Sequence, residues 1–211
     1  MVKHLKIKDL LLGNNTISVV VADAGDYLEM SAKALKELTT KENIPGVYVT
    51  INKPYSIIRK RFEKAGVNTK MIIFIDAVSA SSGKLEKEPG CLFIQTPKSL
   101  SDLSIAMGEA VNALPSKRKF VFFDSLTTLL IYNEAHSVLR FAHFLTNKMR
   151  TWNVDGIILS LDSDTKSDVF QQIVLFADNI INLSSKNLKS SRKKKKVSKK
   201  KKVSKTKRGG K

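Results

Sequence analysis

Asp23, Gly25, Asp26 and Glu29 form the first group of residues whose types and spacing suggest chemistry. They sit in and just after the turn Ala22-Asp23-Ala24-Gly25-Asp26, between an apolar run and a helical pattern. A strand running directly into a helix is a common phosphate site, because the first amides of the helix point at the anion. A phosphate-binding loop there reads G-x-x-x-x-G-K-[ST]: small residues let the backbone approach and a lysine supplies the charge. Here Gly25 alone remains of that pattern, and carboxylates stand where the cation would be. Asp26 suits a helix N-cap, and Glu29, three positions on, suits the reciprocal half of a capping box. The expectation is a helix start occupied by the chain's own anions, with Asp23 as a third carboxylate where a triphosphate would sit. The same residues also suit an ordinary, well-capped surface turn.

Two further groups resemble chemistry more weakly. Ser81-Ser82-Gly83-Lys84 contains a Gly-Lys pair, but it opens no clear helix and runs into Glu86, Glu88, Pro89 and Gly90, as a connecting loop would. An unusual anion-binding loop is the other reading of that stretch. His136 and His143 share a helix face with Arg140, Asn147 and Arg150 nearby. Seven residues of helix rise by about 10 Å, too far for both rings to bind one metal. That face reads as solvated, or else as a surface for a partner or for weak nucleic-acid binding. Cys91 is the only cysteine, which excludes an intramolecular disulfide, and with three histidines no Cys/His zinc cluster is expected. Neither a metal nor a cofactor is expected.

Charge divides the chain near Ser185. Of 37 Lys and Arg residues, 15 lie between Lys186 and Lys211, where no acidic residue occurs. That leaves 22 basic against 19 acidic residues in the body, so the body carries about +3 of the total +18. Two domains follow: a body over 1–185, long enough for one core, and a lysine-rich, disordered tail over 186–211. The tail repeats Lys-Lys-Lys-Lys-Val-Ser: Lys193, Lys194, Lys195 and Lys196, then Lys199, Lys200, Lys201 and Lys202, followed by Lys205, Lys207 and Arg208. Such a segment is expected to bind DNA or RNA through phosphates without reading sequence, since it has no rigid element and no aromatic residue. An anionic membrane surface would attract it too, but no adjoining amphipathic helix or lipid-anchor motif supports stable attachment. The N-terminus has no secretory h-region, and no run approaches 18 apolar residues. With the single cysteine, this gives a cytoplasmic expectation without membrane insertion.

The elements that must position these residues alternate between strand and helix. Apolar runs predict strands at Ile17 to Ala22, Gly46 to Ile51, Met71 to Asp76, Cys91 to Gln95, Phe120 to Asp124, Gly156 to Leu161 and Asn179 to Leu183. Helical patterns span Asp26 to Thr40, Pro54 to Ala65, Leu100 to Leu114, Glu134 to Trp152 and Ser167 to Ala177. Pro54 suits a first helical position, Gly66 a helix stop, and Ser99 with Asp102 an N-terminal cap. Val138, Phe141, Ala142, Leu145 and Met149 predict a core stripe. The fold class is α/β, a mostly parallel sheet covered by helices on both faces.

Several phrases in this order resemble the KaiC-like branch of the RecA superfamily, in particular its P-loop-lacking archaeal members. They are Gly46-Val47-Tyr48-Val49-Thr50-Ile51-Asn52-Lys53-Pro54-Tyr55, Phe74-Ile75-Asp76-Ala77, Phe120-Val121-Phe122-Phe123-Asp124-Ser125-Leu126, Gly156-Ile157-Ile158-Leu159-Ser160 and Ala177-Asp178-Asn179-Ile180-Ile181. The resemblance covers about Thr16 to Ser184 and implies a RecA-like sheet whose active members bind ATP at the strand ends and often assemble into rings or filaments. It also implies that Asn52 and Lys53 stand where active relatives carry glutamates that activate water. An amide is no carboxylate base, and neither is a protonated ammonium. Asp124 with Ser125 resembles a Walker B end that helps hold Mg²⁺, although a polar strand terminus capping the chain from Leu126 onward has the same look.

These readings converge on a vestigial nucleotide site of Gly25, Asp26, Asn52, Lys53, Asp124 and Ser125, with no catalytic residue. The expected function is a non-catalytic RecA/KaiC-like binding or regulatory module, tethered to nucleic acid by its tail and meeting a protein partner through its body. One alternative is a nucleotide-dependent switch or weak ATPase completed by a partner subunit. The other is an adaptor whose tail binds acidic partners. Oligomerisation stays open.

Overall fold

The near-continuous apolar runs form strands, the five central ones buried on both faces and the two edge strands partly exposed. A computed structural model describes residues 15–82 and 88–183. Its strands are β1 (Ile17–Ala22), β2 (Gly46–Thr50), β3 (Ile72–Asp76), β4 (Cys91–Phe93), β5 (Phe120–Asp124), β6 (Asp155–Leu161) and β7 (Asn179–Asn182). All pair in parallel, in the order β4-β3-β2-β5-β6-β1-β7. The connecting helices are α1 (Tyr27–Lys36), α2 (Tyr55–Lys64), α3 (Leu100–Ala113), α4 (Ala135–Thr151) and α5 (Asp168–Ile173). The fold is the expected RecA-like α/β sheet, with most element ends shifted by a residue or two, α5 stopping at Ile173 instead of Ala177 where a 3₁₀ turn takes over at Val174–Phe176, and Glu37–Lys41 continuing α1 as a π turn.

The period of two along each strand sorts the core into two layers. Val47, Val49, Val121, Phe123 and Ile158 face α3, α4 and α5. Tyr48, Phe74, Phe122, Ile157 and Leu159 face α1 and α2. The stripe on α4 is buried as expected, from Val138 through Met149. Truncating one such side chain, Leu145→Ala for instance, costs about 2 to 5 kcal/mol. At the start of β2 only glycine fits, because a Cβ on Gly46 would lie 2.5 Å from the Phe120 ring.

The caps fall out unequally. Ser99 Oγ accepts from the Asp102 amide at 3.3 Å, and Gly66 ends α2 with φ +79°. Pro54 sits one residue earlier than expected, as the N-cap of α2. The capping box of Asp26 and Glu29 does not form. Asp26 is the N-cap residue, but at φ −110°, ψ −9° its side chain makes no capping hydrogen bond. Side-chain capping needs an extended N-cap backbone that swings the oxygen over the next amides. Instead the amides of Asp26 and Tyr27 both donate to the Asp23 carbonyl at 3.0 Å. Glu29 pairs with Lys33 one turn on, and that hydrogen bond holds its carboxyl below the usual range.

Among the described residues no helix is long and apolar enough to cross a membrane. No group of three His, Cys, Asp or Glu there is placed to hold a metal ion. Gly83, Lys84 and every tail residue from Lys186 to Lys211 lie outside the described residues.

Candidate functional site

The carboxyl ends of β2 and β5 meet with Thr50 opposite Asp124 and Tyr48 opposite Phe122. All four residues project to the α1 and α2 face. There the Tyr48 ring stacks on Phe122 at 5.2 Å and meets the edge of Phe62 at 5.1 Å between centroids. So held, its hydroxyl donates to Asp124 Oδ2 at 2.6 Å. Asn52, just beyond β2, donates its amide to Asp124 Oδ1 at 2.8 Å. The Asn52 oxygen in turn accepts from Thr128 Oγ1 at 2.8 Å, and Thr128 meets Ser125 Oγ at 2.7 Å. Both Asp124 and Ser125 are fully buried, and the peptide between them is cis.

Burial dominates the electrostatics of this cluster. It pushes the Asp124 carboxyl up to about 6, against the opposing pull of the Tyr48 and Asn52 hydrogen bonds and the Lys53 charge. Burial and the neighbouring Asp124 charge hold the Tyr48 phenol well above its ordinary value, so it remains a protonated donor. The same two causes raise Tyr27, the first residue of α1, which places its phenol within electrostatic reach of Asp124. The two donors favour the Asp124 carboxylate, while burial favours its protonated form.

Of the residues singled out from the sequence, the structure brings Asn52, Asp124 and Ser125 into one hydrogen-bonded network. Lys53 acts on it only through its charge, while its backbone closes a turn on Thr50 Oγ1 at 2.7 Å. Asp124 does not cap the residues after Leu126; its oxygens are engaged by Tyr48 and Asn52. Gly25 and Asp26 sit on an exposed turn, and a Cβ on Gly25 would meet nothing within 4 Å, so no close backbone approach requires that glycine.

Sequence reasoning missed Tyr27, Tyr48 and Asp76 as site residues. Asp76 ends an apolar strand as Asp124 does, and that pattern was the available signal. Fully buried, it accepts from the Tyr55 amide at 2.7 Å, from the Val78 and Ser79 amides and from the Ser79 hydroxyl. It thereby ties the start of α2 to the end of β3. His143 and His136 are exposed on α4, with His143 near Asn147 at 3.2 Å and its ring 5.0 Å from that of Phe176. Arg150 is taken by Asp178 at 2.9 Å.

No curated protein matches the chain. Among solved structures, a KaiC-like protein of the hyperthermophilic archaeon Pyrococcus horikoshii OT3 superposes with a TM-score of 0.61 at 15% identity, covering 81% of this chain and 72% of that one. That likeness shows the fold. The family model described as "ATPase: KaiC" matches residues 30–208, starting just after the Asp23 to Asp26 turn and spanning most of the sequence. The chain therefore belongs to the KaiC family, as a KaiC-like domain.

Proposed function

We propose that this KaiC-like domain is a non-hydrolysing binding or regulatory module, with the lysine-rich tail over 186–211 tethering it to DNA or RNA. The observation that carries the first half is the state of Asp124. Its position at the strand end is where the family would hold Mg²⁺, yet it is buried and both its oxygens accept hydrogen bonds from within the chain. The helix start opposite it offers Asp26 and Tyr27 instead of a lysine and a hydroxyl-bearing Ser or Thr. These residues do not fit a magnesium nucleotide: hydrated Mg²⁺ prefers open carboxylates, and triphosphate needs a lysine at the helix start, where this chain has Asp26. Asn52 and Lys53 add no base.

The second half rests on charge. Counterion release makes a 15-cation segment bind phosphate backbones strongly and without sequence preference. Titration of the full-length protein with ATP and Mg²⁺, beside titration with a labelled oligonucleotide, tests both halves. Micromolar ATP affinity overturns the first, and oligonucleotide binding indifferent to salt overturns the second.

The family's description as an ATPase favours a second reading, a nucleotide-dependent switch completed by a partner subunit. Turnover appearing only with a purified partner, and lost in Asp124→Ala, would select it.

A further inference from the structure

The strand order sets the starts of β1, β5 and β6 close together, at the end of the sheet away from Asp124. There the Asp155 amide donates to the Lys119 carbonyl at 3.0 Å and the Gly156 amide to the Thr16 carbonyl at 2.9 Å. These ties gather Asn15, Lys117, Arg118, Lys119, Asn153 and Asp155 around a cleft of about 190 Å³. Liquid water takes roughly 30 Å³ per molecule, so the space suits a small hydrated anion.

The polarity of the walls points to the same ligand. Lys117 and Arg118 are exposed at the rim, while Lys119 turns to donate to the Val111 carbonyl at the end of α3, at 2.8 Å. Asp155, the one acidic wall, is 4% exposed and faces inward, where Oδ1 accepts from the Thr16 amide at 3.3 Å. Its other oxygen lies 4.0 Å from the Nε of Arg118, which lines the cleft. Asn15 and Asn153, in left-handed turns at φ 67° and 58°, add amide groups. Lys117 and Arg118 at the rim against one inward carboxylate leave a positive mouth. Arginine offers phosphate a planar fork of donors, and lysine a point charge. The lining contains no aromatic ring to stack a base, so the interaction there is with the backbone of a nucleic acid and not with its sequence.

We propose that this cleft seats a backbone phosphate of the nucleic acid that the tail holds, a second and separate point of attachment made by the folded body. The inference rests on the tethering reading. The last described residue, Leu183, follows β7, which runs parallel to β1 with Asn182 beside Val21, so it lies at the end of the sheet opposite the cleft. The cleft is thus remote from the point where the described chain ends.

Four full-length proteins test it: wild type, Lys117→Gln with Arg118→Gln, Lys60→Gln with Lys64→Gln as an equal charge loss on α2, and a variant with the tail lysines 193–196 and 199–202 changed to Gln. Binding of a labelled oligonucleotide is followed across a salt series. Removing one phosphate-to-cation pairing lowers the slope of log K against log salt by about 1 and affinity by about 3- to 10-fold near 100 mM salt. That change is expected in the cleft variant and not in the α2 variant. A cleft variant that matches the α2 variant overturns the cleft, while loss of binding in the tail variant leaves the tether standing. A tail variant that binds like wild type removes the tether instead. A cleft that takes inorganic phosphate, seen at the Arg118 Nε resonance, with no loss of oligonucleotide affinity in its variant also overturns the proposal.

Discussion

The Tyr48 hydroxyl donates to Asp124 Oδ2 at 2.6 Å from the neighbouring strand, two residues that are 76 positions apart in the chain. The carboxylate at the end of β5 is thereby turned against a phenol in the core.

Tyr48→Phe removes that donor and leaves one buried carboxylate oxygen short of a hydrogen bond. A loss of about 1 to 3 kcal/mol is expected in denaturant titration. Because the Tyr48 hydrogen bond opposes the effect of burial, the Asp124 carboxyl should titrate still higher in the variant, as read by carboxyl carbon shifts.

Asp124 also makes stability depend on pH. Its carboxyl titrates near 3.8 when unfolded and at about 6 when folded, so between those values the native state holds the extra proton. The contribution of this group is most favourable below the unfolded value and is lost as pH rises through about 6, by an amount on the order of 2 to 3 kcal/mol. Asp124→Asn, which stays uncharged, should flatten this part of the profile and be at least as stable as wild type at neutral pH. An unchanged slope between pH 4 and 6.5 would assign the titration elsewhere.

ATP should bind the isolated protein no more tightly with Mg²⁺ than without, and no turnover should be seen. Asp124→Ala should leave that baseline where it is while lowering the melting temperature, because the Tyr48 hydroxyl and the Asn52 amide lose their acceptors. An ATPase rate abolished by the substitution contradicts the proposed function.

The two helix starts should respond in opposite ways. Ser99→Ala removes a formed cap and should cost about 1 kcal/mol. Asp26→Ala removes no side-chain hydrogen bond and should cost only the few tenths of a kcal/mol that a charge near a helix start contributes. Equal losses in calorimetry would mean that Asp26 caps α1 after all.

For the tail, about 6 to 10 phosphates engaged at once imply a fall in affinity of roughly 10³ to 10⁵ between about 50 and 200 mM salt. Exchange of the tail lysines for arginine should preserve binding, and exchange for glutamine should weaken it stepwise without altering sequence preference. Affinity that is flat across this range rules out the tether.

What the sequence determined by itself was set by short-range physics. Runs such as Phe120 to Phe123 suit a buried parallel strand, and Gly66 ends a helix through its own backbone freedom. That Ala22 to Asp26 carries no G-x-x-x-x-G-K-[ST] pattern is likewise visible in the letters alone. Only the tertiary structure decided what Asp124, Asp26 and the residues around 117 to 119 do. Asp124 meets its donors Tyr48 and Asn52 because β2 and β5 lie side by side, a pairing of residues more than seventy positions apart that no local pattern encodes. Asp26 has the composition of a cap, but its backbone angles turn the carboxylate away. No sequence pattern singles out Lys117 and Arg118; the neighbouring strand starts bring Asn15, Asn153 and Asp155 around them. Side-chain type is local, whereas burial, partner and aim are properties of the packed sheet, and those set each group's charge and reach.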